Sequence, residues 1–275
     1  RFKNYVRKEK EGMVKAAYSA YRERSLGLGA MGFHAYLQNK KLPFQGLQST
    51  STNHVMFSHI KGKASEATER LAEERGEAPD VHGSNQRNAH LLAIAPNASS
   101  SIICGGTSPS IEPFRANSFT HKTLSGSYQV RNKFLDKLLR KKGINVAERE
   151  KIWKDITGAN GSVQHLDILD DNEKEIFKTA PEINQIYIVE HAHMRQEYIC
   201  QSQSVNLFFT MPKATEPQEV HDDYLQYVND VHWYAMNKLK SLYYFRSDAA
   251  RSVENVNIKI PRVKLEDVEC LSCEG

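Results

Sequence analysis

At 275 residues the chain has room for one large domain or two small ones, and its 40% hydrophobic and 25% charged residues are ordinary for a globular protein. A net charge of +4 is too mild to argue for nucleic acid, no apolar run is long enough to span a bilayer, and no secretory leader pattern is present. Four cysteines (Cys104, Cys200, Cys270, Cys273) make no disulfide framework in a chain this long, so a reducing, cytoplasmic setting is expected.

Residues 1–24 are predicted to be a helix, because Val14, Ala17, Tyr18 and Tyr21 recur at three-to-four spacing. The chain opens on Arg1 and enters directly into this charged helical pattern, as expected of a processed or recombinant product, or of the tail half of something longer. Arg24 to His34 follows and contains Gly27-x-Gly29-x-x-Gly32, the spacing of a dinucleotide fingerprint. That use is rejected. No hydrophobic strand precedes the glycines, and no βαβ unit with a suitably placed acidic residue follows. Tight backbone packing is the expectation. Residues 51–76 are predicted to form an amphipathic helix with Val55, Ile60, Ala64, Ala67 and Leu71 on its apolar side, ended by Gly76 and Pro79.

Leu91 to Ala95 is an apolar run stopped by Pro96, which reads as a buried strand feeding a loop of small polar residues. In that loop Asn97, Ala98, Ser99, Ser100 and Ser101 would let a ligand approach the backbone. If the loop opens a helix, its free amides form an anion site to which the hydroxyls add donors. An ordinary Ser/Gly-rich turn explains the same residues, since no lysine sits where a P-loop needs one.

Phe134, Leu135, Leu138 and Leu139 mark a helix ended by Gly143, and residues 144–170 are expected as short pieces broken by Gly158 and Gly161. Residues 181–198 read as a helix carrying Glu190, His191 and His193. Histidines two apart diverge on a helix, so no metal is expected there, only a solvated or locally hydrogen-bonded face. Gln201 to Phe209 ends as an apolar strand. Residues 217–239 are predicted to be an amphipathic helix with Val220, Tyr224, Tyr227, Val231 and Tyr234 on one stripe. Tyr243 and Tyr244 follow; adjacent residues on a strand point to opposite faces and seldom stack. Cys270 and Cys273 are too few for a closed zinc site, and fit either a thiol shuttle or an inert tail. Cys104 and Cys200 are read as structural.

Four segments together resemble the large (alpha, catalytic) subunit of class I ribonucleotide reductase. They are Pro96-Asn97-Ala98-Ser99-Ser100-Ser101 with Ser110-Ile111-Glu112-Pro113; Gln201-Ser202-Gln203-Ser204-Val205-Asn206-Leu207; Lys240-Ser241-Leu242-Tyr243-Tyr244-Phe245-Arg246; and Cys270-Leu271-Ser272-Cys273. The Arg24–His34 segment also has its counterpart there. The resemblance runs from about residue 12 to Gly275 but covers only the later part of that subunit. It implies an α/β fold, the later half of a ten-stranded α/β barrel in residues 1–245, with a flexible redox tail over 246–275. It also implies radical reduction of ribonucleoside diphosphates to deoxyribonucleotides for DNA synthesis.

Carried over residue by residue, Asn97 to Ser101 would hold the substrate phosphates, Tyr243 and Tyr244 would relay a radical, and Cys270 and Cys273 would re-reduce the active site. The implied partners are the small (beta) radical-generating subunit near residues 217–239, thioredoxin or glutaredoxin, and an N-terminal part of the catalytic subunit. Membranes and nucleic acids are not among them. No metal or other cofactor is expected on this chain. The radical cofactor belongs to the small subunit, and ATP/dNTP effector sites to the absent N-terminal part. No segment matches the family's radical-bearing cysteine, its disulfide-forming cysteines or its specificity loop. The chain alone is therefore expected to be inactive. The alternatives are a non-catalytic truncated paralogue that binds nucleotide or the small subunit, and a stand-alone thiol–disulfide carrier.

Overall fold

The computed structural model describes residues 13–123 and 126–248. Helix α1 (Val14–Glu23) lies on the surface and stops where Arg24 turns left-handed at φ 51°. Arg22 ties it to Asp80 in a short 3-10 turn, Pro79–Val81. Helix α2 (Phe33–Asn39) starts at Gly32, whose φ of 86° suits a residue without a Cβ. Helix α3 (Leu47–Arg75) begins four residues before its expected start. Its buried face runs through Ser49, Asn53, Phe57, Thr68 and Ala72, whereas Val55, expected inside, points out. The buried polar residues are all bonded: Ser49 Oγ donates to the Phe44 carbonyl, Asn53 Nδ2 to the His191 carbonyl, and Thr68 Oγ1 to Asn88 Oδ1. An apolar pattern cannot register a core face built from satisfied polar groups.

The strand-like segments lie parallel. Leu28 bridges Leu92 and Ile94 bridges Gln203, with Ala93 N bonded to Leu28 O at 3.1 Å and Ser204 N to Ile94 O at 2.9 Å. The glycines fit this closeness. A Cβ on Gly29 would lie 2.8 Å from the Ala93 carbonyl oxygen, and one on Gly32 2.5 Å from Thr107 Oγ1. The run of small residues after Pro96 becomes helix α4 (Ala98–Ile103). A hairpin that the sequence did not announce comes next, β1 (Ser118–Thr123) with β2 (Gly126–Arg131), pairing Phe119 with Val130.

Helix α5 (Lys133–Lys141) is capped by Asn132, whose side chain accepts from the amides of Phe134 and Leu135. Residues expected as short pieces include a 13-residue helix, α6 (Val146–Gly158), because Asn145 supplies an N-cap to Glu148 N and Gly158 falls at the helix end. Helix α7 (Asp171–Ile176) opens with a capping box. These helices enclose a core of their own around Leu135, Leu139, Trp153 and Ile156. Buried amides fasten it to α2: Asn132 Nδ2 donates to Gln38 Oε1 at 2.9 Å and to Asn117 Oδ1 at 2.8 Å.

The helix expected over 181–198 is split. Pro181 sits in a 3-10 turn (Ala180–Glu182), and α8 (Gln185–Gln196) starts after the Asn184 cap. Strand β3 (Leu207–Thr210) runs parallel to β4 (Phe245–Asp248), with Leu207 opposite Phe245. Parallel neighbours require a crossover, and α9 (Gln218–Lys238) provides it. The main core gathers α2, α8, α9 and β3 around Phe33, Phe44, Val189, Leu207 and Val231. No helix among the described residues is long and apolar enough to cross a membrane.

Candidate functional site

The segment entering α4 turns at Asn97, which is left-handed at φ 51°; its carbonyl accepts the Ser101 amide at 3.0 Å. The amides of Ala98, Ser99 and Ser100 then fall in the first helical turn, where no intrahelical acceptor exists. Ala98, Ser99 and Ser100 are exposed, while Ser101 is buried and its hydroxyl donates to the Ala98 carbonyl at 2.7 Å. Ser101 therefore shapes the turn. A cavity of about 650 Å³ opens beside it, lined by Ala98, Ser101 and Ile102 and also by Phe119, Val130 and Thr210. Arg115 lines the same cavity and brings a cation to a wall that is otherwise largely apolar. A smaller cavity of about 210 Å³ lies between Ser100, Asn97 and the Gly27–Met31 backbone. Amide donors, hydroxyls and one guanidinium suit an anionic ligand.

The chain after α4 is pinned to α2. Ser108 Oγ accepts the Ala35 amide at 3.0 Å, the Ser110 carbonyl accepts the Phe33 amide at 3.1 Å, and Phe114 N donates to His34 Nδ1 at 2.9 Å. His34 is fully buried, and burial holds its imidazole down at about 3 despite a bond to the Ile176 carbonyl. His191, across the Phe44 ring, is pushed down to about 4, first by burial and then by Arg195.

Tyr243 and Tyr244 are in contact, with ring centroids 4.1 Å apart and planes 51° to each other. The sequence expectation of opposite faces assumed a strand, but β4 begins only at Phe245, so both tyrosines lie outside the pleat. Their backbone is bonded all the same. Tyr243 N donates to Val205 O at 2.9 Å, Tyr244 N to Asn206 Oδ1 at 3.1 Å, and Leu207 N to Tyr244 O at 3.0 Å. Both rings are about half exposed, and a hydrogen bond with Tyr244 pushes the Tyr243 phenol above its ordinary value. The Arg246 guanidinium lies 5.2 Å from the Tyr244 ring centroid.

Arg115 has no role in the sequence analysis, and Glu112 enters it only as a letter of the Ser110-Ile111-Glu112-Pro113 segment, with no chemistry attached. The fold sets Arg115 on the cavity that Ala98 and Ser101 border, and links Glu112 through Asn206 to Tyr244. His191 and His193 do not converge: His191 is buried against the Phe44 carbonyl, contrary to the solvated or locally bonded face expected, and His193 meets the Lys238 carbonyl. No group of three or more His, Cys, Asp or Glu that could hold a metal occurs among the described residues. Cys104 is exposed. Cys200 plays a structural part, its sulfur accepting the amides of Leu91 at 3.0 Å and Leu92 at 3.2 Å. Cys270 and Cys273 lie outside the described residues. Along α9, Trp233 and Met236 face outward, 71% and 68% exposed. Lys238 sits over the Tyr234 ring, and Lys240 is tied to the carbonyls of Ile199, Cys200 and Gln201.

A family model described as the ribonucleotide reductase barrel domain matches residues 3–87 and 80–245. The ribonucleoside-diphosphate reductase large subunit of Invertebrate iridescent virus 3 is 43% identical over 266 residues, covering 96% of this chain and 40% of that protein. The putative ribonucleoside-diphosphate reductase large subunit of Frog virus 3 is 40% identical over 262 residues, 95% of this chain and 44% of its own length. Among solved structures, the Actinobacillus ureae class Id ribonucleotide reductase alpha subunit superposes with a TM-score of 0.75 at 36% identity, over 90% of this chain and 44% of that one. The chain thus spans less than half the length of these relatives. Its parallel strands and crossover helices are part of the α/β barrel that they share. With the family model matched from residue 3 to residue 245, the chain belongs to the ribonucleotide reductase family.

Proposed function

We propose that the chain is the later part of the catalytic large subunit of a ribonucleoside-diphosphate reductase and works with the remaining part of that subunit. The observation that carries this reading is the Tyr243–Tyr244 contact at 4.1 Å, two phenols able to exchange an electron and a proton. They pass a radical inward to a thiol outside this chain. That thiyl takes a hydrogen atom from the ribose, and the 2'-hydroxyl takes up a proton and leaves as water. Two further thiols outside this chain supply two electrons and become the active-site disulfide, and the ribose then recovers its hydrogen. The start of α4 anchors the substrate diphosphate through the amides of Ala98, Ser99 and Ser100 and the Ser99 and Ser100 hydroxyls, with Asn97 and Ser101 holding the turn. Arg115 lines the larger cavity together with Ala98 and Ser101 and adds positive charge there.

In the tail, Cys270 and Cys273 give up two electrons to the active-site disulfide by thiol–disulfide exchange. Thioredoxin or glutaredoxin then restores them. The small subunit, which carries the radical cofactor, docks beside α9, whose outward Trp233 and Met236 offer an anchor. Reversing the charge at Lys238 is expected to weaken docking. Lys240 is a poorer probe, since it also braces three carbonyls. The test is nucleotide reduction by this chain mixed with the rest of the large subunit and the small subunit. Activity in the mixture alone supports the proposal. Nucleotide or small-subunit binding without turnover in any mixture of folded parts identifies a non-catalytic paralogue instead.

A further inference from the structure

Glu112 stands in the Ser110-Ile111-Glu112-Pro113 segment, and the chemistry above makes no use of it. It is an acidic side chain in an interior position, 7% exposed. Its Oε1 accepts a 2.5 Å hydrogen bond from Nδ2 of Asn206, itself 2% exposed. The other end of that amide, Oδ1, accepts from the backbone N–H of Tyr244 at 3.1 Å. One planar side chain therefore joins the carboxyl group to the tyrosine pair. The charged groups that face Glu112 are Arg115, three residues on, and Arg246 in β4, whose guanidinium lies 5.2 Å from the Tyr244 ring centroid. Burial pushes the Glu112 carboxyl up to about 7, against the pull of Asn206 and the two arginines.

We infer that Glu112 is a positioning residue for the tyrosine pair: through Asn206 it fixes the Tyr244 backbone, and its charge, set against Arg246, governs the electrostatic surroundings of the Tyr244 ring. The inference rests on the relay reading of Tyr243 and Tyr244. A cation near an aromatic face stabilises the electron-rich ring and opposes removal of an electron from it. An ionised Glu112 offsets that cation, and a protonated one leaves Arg246 to act alone. In the transfer step one phenol gives an electron and a proton to the other phenoxyl. Glu112 exchanges neither with them.

The test reads Tyr244 directly by NMR in the intact chain with ring-labelled tyrosine, the resonance being assigned with Tyr244→Phe. On titration through pH about 7 the Tyr244 ring signal is expected to move in a step, and Glu112→Gln, which keeps an acceptor oxygen for Asn206, abolishes the step. A parent spectrum without the step, or a step that survives Glu112→Gln, overturns the inference.

The second readout is turnover by the assembled holoenzyme. Glu112→Gln is expected to match the parent below pH about 7 and to fall by about tenfold above it, the rate equivalent of one pKa unit of electrostatic change, with KM unaltered. An unchanged pH profile in Glu112→Gln, alongside an inactive Tyr244→Phe, overturns the role of Glu112 alone. Full turnover by Tyr244→Phe removes the relay reading and this role with it.

Discussion

Acid should weaken this fold through two buried histidines, and His34 is the one whose removal reports on it most cleanly. His34 Nδ1 accepts the Phe114 amide at 2.9 Å, so its neutral ring carries the proton on Nε2. Adding a second proton at Nδ1 breaks that bond and places a charge in a fully buried site. Burial lowers His34 from 6.5 to about 3 and His191 to about 4. Both folded-state values lie below the unfolded one, so their contribution is complete above about 6.5 and is lost as pH falls through the window beneath it. By pH 5 the unfolded state gains about 2 kcal/mol per histidine, so the pair loses about 4 kcal/mol relative to pH 8.

Glu112 works in the opposite sense. Raised from 4.5 to about 7, it contributes most at low pH and loses its contribution as pH rises, so absolute pH profiles mix the two effects. The clean quantity is a difference between variants. In His34→Asn the side-chain Oδ1 takes the place of Nδ1 toward Phe114 but does not titrate. Lost ring packing against Phe44 and Phe114 lowers stability at every pH by about 1–3 kcal/mol. The change between pH 8 and pH 5 should nevertheless shrink by about 2 kcal/mol in urea unfolding followed by circular dichroism. A variant that loses as much stability as the parent over that interval would refute the reasoning.

Two glycines should respond in opposite directions. Gly29→Ala puts a methyl 2.8 Å from the Ala93 carbonyl oxygen and is expected to cost about 1–3 kcal/mol. Gly62→Ala, inside α3 with open space around it, should gain about 1 kcal/mol, and matching urea midpoints for the two variants would contradict both assignments. At Cys200 burial raises the thiol, but the Leu91 and Leu92 amides and Lys61 outweigh it and hold the thiol below its ordinary range. Cys200→Ala should cost about 1–3 kcal/mol by orphaning those amides, and Cys200→Ser appreciably less; equal losses in thermal unfolding would show that the sulfur is not their partner.

Segments that follow local rules are more legible in the sequence than the packing around them. The Gly27–Gly32 run was assigned to close backbone approach rather than to nucleotide, and the contacts at Gly29 and Gly32 agree with that. The apolar run before Pro96 and the small residues after it became a parallel strand segment and a helix start, since each follows from local rules. The β1–β2 hairpin is hard to read from the sequence because β1 carries Phe119 as its one apolar residue, so the short alternation of Tyr128 and Val130 in β2 has no matching pattern on the strand it pairs with. The polar core of α3 was hidden for a related reason: Asn53 is buried because the His191 carbonyl awaits it, and that partner lies 138 positions away. Arg195 is the extreme case, fully buried with Gln203 and Asn53 as its hydrogen-bond partners. The contact between Tyr243 and Tyr244 depended on where β4 starts, a boundary that local pattern does not fix.

The most direct measurement of the central claim is deoxyribonucleotide formation from a ribonucleoside diphosphate by this chain combined with the rest of the large subunit and the small subunit. Turnover is expected in the full mixture only, lost in Tyr243→Phe or Tyr244→Phe and weakened in KM by changing Ser99 and Ser100 to Ala. No product from any mixture of folded components, or undiminished product from both tyrosine variants, would contradict the account.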